Sequence, residues 1–104
     1  MSREVAAVLD RALQMSRELL DAAHRGDSQA AASLDAERLQ LLKFLRRGTE
    51  ALDEHGRGVL RDIALLNDQS IGHLEHHRRI KGRELDMAAV GRRAVAAYAI
   101  IGRR

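Results

Sequence analysis

VAAVLDRALQMSRELLDAAHRGDS, residues 5–28, is the stretch whose pattern decides the fold class. Val5, Val8, Leu9, Ala12, Met15, Leu19 and Ala23 recur at steps of three and four residues, which places them on one broad helical stripe. The spacing predicts a first helix from about Ser2 to His24, with the Ser2 hydroxyl available to cap free backbone amides. Gly26 supplies the flexible position at which such a helix ends, and Asp27 or Ser28 can cap the next one. A link this short implies an antiparallel helix pair.

Outward from that stretch the same grammar continues. A second helix is predicted from about Ser28 to Arg47, with Ala31, Leu34, Arg38, Leu41, Leu42 and Leu45 on its inward side and Gly48 as a left-handed cap. Arg38 is the odd member of that stripe. Its stem can cover leucines while the guanidinium reaches the edge, or it can pair with Asp35 or Glu37. Between Thr49 and Gly58 a short helical turn is expected, with Gly56 and Gly58 marking a bend. A long third helix follows from about Val59 through Ile63, Leu66, Ile71, Leu74, Leu85 and Val90. It is expected to break near Gly91, leaving a short final helix that carries Val95, Tyr98 and Ile101.

Composition agrees with an all-α reading. The 104 residues contain no proline, and leucine with alanine makes up 32 of them, while Phe44 and Tyr98 are the only phenylalanine and tyrosine. The expected architecture is one domain, residues 1–104: a small antiparallel bundle of three main helices plus a short C-terminal helix, with 91–104 as a movable segment. Without cysteine there are no disulfides, thiolate ligands or thiol nucleophiles, and with no apparent signal peptide the chain suits the cytoplasm. No apolar run of about 20 residues exists, so no membrane insertion is expected.

Charge is unevenly placed: residues 1–55 sum to −2 and residues 56–104 to +5. Arg78, Arg79, Lys81 and Arg83 form the main positive run, an arrangement suited to an acidic partner surface, an anionic membrane or nucleic acid. A nucleic-acid reader would carry an aromatic stacking platform or a reading motif, and none is evident. His73, His76 and His77 with Glu75 are the densest group of metal-ligand types, yet an i,i+4 histidine pair alone does not complete a zinc site. Glu50, Asp53 and Glu54 cluster without a nucleophile or a motif that would give them roles, and neither a phosphate-loop spacing nor a GxSxG arrangement occurs. Neither an enzyme nor a cofactor is expected.

Leu34-Asp35-Ala36-Glu37-Arg38 in helix 2, Leu66-Asn67-Asp68 and Leu74 in helix 3, Arg78 after them and Ala97-Tyr98 near the end follow the His24-Arg25-Gly26-Asp27 link in order. Taken together over about Val8 to Ile100, they resemble the FliT family of flagellar type III export chaperones. That resemblance implies a cytoplasmic helical chaperone that binds the helical C-terminal region of the filament-cap protein FliD, prevents its premature association and delivers it through the export ATPase FliI and the export-gate protein FlhA. Some enteric members also restrain the FlhD–FlhC transcription activator. The resemblance places a substrate groove between helix 2 and helix 3, with Leu41, Leu45, Ile63, Leu66, Ile71 and Leu74 as apolar contacts or, equally, as bundle core. It gives Arg78 and Arg83 the steering of acidic partner segments, and it makes Val95, Tyr98 and Ile101 part of a C-terminal lid. The chain departs from the family in lacking a tryptophan near the start of helix 2, where Gln29, Ala30 and Ala31 stand, and in stopping soon after the last helix. A small basic transcription-regulatory or nucleic-acid-binding protein is the competing reading, and a helical homodimer is compatible with either.

Overall fold

The computed structural model describes residues 2–46 and 52–102, and their side chains over 2–45, 52–84 and Met87. Three helices follow in order: α1 (Arg3–Arg25), α2 (Ser28–Arg46) and α3 (Glu54–Gly102). The all-α bundle expected from the sequence is the fold found, with no strand among the described residues.

Local chemistry sets the boundaries. Ser2 caps α1 by accepting the Val5 N–H at 3.1 Å. At the other end Gly26 takes a left-handed conformation, φ 73°, and its N–H reaches the Ala23 carbonyl while the Asp27 N–H reaches that of Ala22. This paired 5→2 and 6→1 pattern is a Schellman motif, and it requires a residue without a Cβ penalty at position 26. Asp27, rather than Ser28, is the cap of α2, accepting the Ala30 N–H at 3.1 Å. The predicted cap at Gly48 lies outside the described residues.

Two expectations for the third helix are corrected. The bend predicted at Gly56 and Gly58 is absent, because α3 already starts at Glu54. Asp53 sets that start: its carboxylate accepts the Gly56 N–H at 2.8 Å, its carbonyl accepts the Arg57 N–H, and the Arg57 guanidinium returns to the Leu52 carbonyl. The expected break near Gly91 and the separate final helix are likewise absent, since α3 runs unbroken to Gly102. Glycine weakens a helix interior by about 1 kcal/mol but keeps its N–H in the ladder, and no proline stops the chain.

The chain divides into two compact units, residues 1–74 and 75–104. In the first unit α1 and α2 pack with their backbones close, whereas α3 keeps its backbone farther off. One buried cluster unites Leu9, Ala12, Leu45, Val59 and Ile63 from all three helices with Leu52 just before α3, flanked by Val5, Val8, Leu13, Leu41, Leu42 and Leu60. A second, smaller cluster holds Leu19, Ala22 and Ala31, with Ala30, Leu34 and Leu74 against it. The second unit is the helix over 75–102. On it Arg78, Arg79, Lys81 and Arg83 are exposed, as are Ile80 and Met87, and the His76 and His77 rings meet edge to face at 6.0 Å.

Candidate functional site

Ser16 of α1, Arg38 of α2 and Ser70 of α3 are buried polar residues, and Arg38, only 6% exposed, is tied to all three helices. Its Nη1 donates to the Ser16 Oγ at 3.3 Å, and its Nη2 donates both to the Asp35 carboxylate at 2.8 Å and to the Asn67 side-chain oxygen at 2.7 Å. Asp35 is therefore the partner, not Glu37. The Ser16 and Ser70 hydroxyls donate back to the carbonyls of Ala12 and Leu66, each at 2.8 Å, so neither is left unsatisfied. The Nε of Arg38 is buried and has no hydrogen-bond partner among the described residues.

Two clefts flank this bridge along the seam between α2 and α3. One, of about 400 Å³, has a wall of Ser28, Ala31, Ala32 and Asp35 on α2, a facing wall of Asn67, Ser70, Ile71 and Leu74 on α3, and Leu19 of α1 as its floor. Each wall repeats at i, i+3, i+4 and i+7, so each is one face of its helix. The other, of about 290 Å³, lies among Arg38 and Leu42 on α2 and Leu60, Ile63, Ala64 and Asn67 on α3. Asn67 borders both. The larger cleft exists because α2 offers it small residues: Ala31 is tight against α1, Ala32 is exposed, and neither has the bulk to meet Ile71.

Of the six apolar groove candidates, Ile71 and Leu74 line the larger cleft and Ile63 the smaller one, where it is also part of the buried core. Leu45 is 3% exposed in the core and Leu41 packs against the same cluster, while Leu66 is half-buried; none of these three lines either of the two clefts described. Arg78 and Arg83 are exposed on the second unit. Val95, Tyr98 and Ile101 belong to α3, and their side chains lie outside the described residues. Ser28, Ala31, Ala32, Asn67 and Ser70 are not among the groove residues expected from the sequence, where bulky apolar side chains are the signal.

Of the polar candidates, Asp53 caps α3, and His73 meets His24 of α1, ring to ring at 5.0 Å and 86°. Among the described residues no group of three or more histidine, cysteine, aspartate or glutamate side chains is placed to hold a metal ion, and no helix is long and apolar enough to cross a membrane. Compared with known protein families, with characterised proteins and with solved structures, the chain gives no match.

Proposed function

We propose that this chain is a helix-binding chaperone of the flagellar export type, which holds the helical C-terminal region of FliD along the α2–α3 seam, prevents its premature association and passes it on through FliI and FlhA. The observation that carries the helix-binding part is the larger cleft. It is open and two helical turns long, with Ala31, Ala32, Ile71 and Leu74 as its apolar wall residues, Ile71 46% exposed, and Leu19 closing its floor. An amphipathic helix that seats its apolar face there removes those side chains from water, worth roughly 1.5–3 kcal/mol for each large residue fully buried, before ordering costs.

The choice of FliD rests on the resemblance, and one spatial fact supports it. Two separate strings that carry the likeness, Leu34–Arg38 and Leu66–Asp68, supply Asp35, Arg38 and Asn67, which meet in a single hydrogen-bonded bridge beside the cleft. Arg78 and Arg83, exposed on the second unit, would add electrostatic steering of acidic partner segments. In this proposal the segment with Val95, Tyr98 and Ile101 regulates access, so a chain ending at Val90 would bind FliD more tightly than the full chain while keeping its fold.

The test is a calorimetric titration of the full chain with the C-terminal segment of FliD from the same genome, in moderate salt, beside a DNA duplex. A discrete complex with the FliD segment that survives the salt is the expected outcome. Binding to DNA alone, lost steeply as salt rises, would instead favour a nucleic-acid role for the basic half.

A further inference from the structure

We infer that the partner helix carries a carboxylate at the centre of its apolar face, and that this carboxylate is received by Arg38. The inference rests on the helix-docking reading above and specifies its chemistry. Arg38 is a buried cation with an incomplete complement of acceptors. Its guanidinium has five N–H groups, of which three are spent on Ser16, Asp35 and Asn67, leaving two, one of them the buried Nε–H without a partner. Its one carboxylate partner among the described residues, Asp35, is 62% exposed and thus remains largely hydrated, while the Arg38 side chain is 7% exposed. A charge so deep in a small bundle is ordinarily matched by a counterion equally removed from water.

Position adds to chemistry. Asp35 and Asn67 border the larger cleft, and Arg38 and Asn67 border the smaller one, so the guanidinium–amide bridge partitions a single seam. That seam extends along α2 from Ser28 to Leu42 and along α3 from Leu60 to Leu74, about 21 Å on each helix at 1.5 Å per residue. A helix of about 15 residues has that length, and laid along the seam it places its middle over Asp35 and Asn67, two of the residues that hold the Arg38 guanidinium. A carboxylate there can answer the unspent Nε–H and, on the neighbouring Nη2, replace the neutral Asn67 oxygen with a charged acceptor, the stronger of the two kinds of bond. A leucine at the same place would shut water out and leave those N–H groups unanswered, and a lysine would pair with the exposed Asp35 and leave them unanswered too.

The experiment titrates the full chain calorimetrically with four amphipathic peptides of about 15 residues, identical except for Glu, Gln, Leu or Lys at the centre of the apolar face. These four residues have similar helix propensities, so helix formation does not dominate the comparison. The Glu peptide is expected to bind roughly tenfold or more tightly than the Leu and Lys peptides, with Gln between them. On Arg38→Met that preference should shrink to about twofold or less; Arg38→Lys, which keeps the charge without the fork, is the second variant if Arg38→Met does not fold. Equal or tighter binding of the Leu peptide to the unaltered chain would overturn the carboxylate while leaving helix docking intact. A Glu preference undiminished in the Arg38 variants would assign it to other cations and overturn the role of Arg38. Binding by none of the four peptides would overturn the docking reading together with this one.

Discussion

The two clusters of the first unit draw on the same three helices, yet one is a filled core and the other borders a groove, and α3 makes the difference. To the larger cluster α3 contributes Val59 and Ile63, both nearly inaccessible, and they interlock with Leu9 and Leu45. To the smaller cluster it contributes only the half-buried Leu74, while Ile71 on the same stretch remains exposed. The α1–α2 contact there is made by Leu19, Ala22 and Ala31, with Leu74 of α3 packed against them. On the proposed function, stability and recognition are thus separated along the bundle, with the Arg38 bridge between them.

The largest expected effects test the filled end. Leu9→Ala or Ile63→Ala should cost about 2–5 kcal/mol in chemical denaturation, since each empties a site surrounded by the side chains of other helices. Ile71→Ala, at the groove, should cost well under about 1 kcal/mol, because its side chain is half in water already. Similar losses at both ends would break the comparison.

Next in size is the boundary between them. Arg38→Ala should destabilise by about 1–3 kcal/mol, by losing a packed stem and stranding the Ser16 and Asn67 partners. Arg38→Met keeps the volume and removes the buried charge, so it should cost less than Arg38→Ala and can even stabilise. A Met variant as unstable as the Ala variant would show that the bonds, not the packing, dominate at this layer.

Smaller effects sharpen the account of α3. Asp53→Ala should cost about 1 kcal/mol through loss of the cap on Gly56. Gly72→Ala should stabilise by somewhat less than 1 kcal/mol, since an added Cβ there meets nothing within 4 Å and gains helix propensity. Thermal melts followed by circular dichroism would resolve both signs, and a destabilising Gly72→Ala would mean that α3 needs the close approach which the open surroundings of Gly72 deny.

Much of this arrangement was legible in the sequence, for a physical reason: helix faces and caps are local. Ser2, Gly26 and Asp27 act within a few residues of where they stand, and their roles follow from type and position. The start of α3 was misplaced because two glycines outweighed a single capping aspartate, although Asp53 is what fixes the first turn. Arg38 was visible as an anomaly, but two of its partners, Ser16 and Asn67, stand 22 and 29 residues away and are chosen by packing. The larger cleft was half legible. Ile71 and Leu74 announced themselves by size, while Ser28, Ala31 and Ala32 shape the opposite wall by lacking it.

The central claim, that a partner helix occupies the cleft between α2 and α3, is tested most directly by filling it. Ala32 is exposed on the cleft wall, so Ala32→Trp can occupy the space without disturbing either buried cluster. Titrated with the FliD C-terminal segment, the Trp variant should melt like the unaltered chain and bind at least about tenfold more weakly, the loss of one well-seated apolar anchor. Undiminished affinity in the folded Ala32→Trp chain would place the binding surface elsewhere and contradict the account.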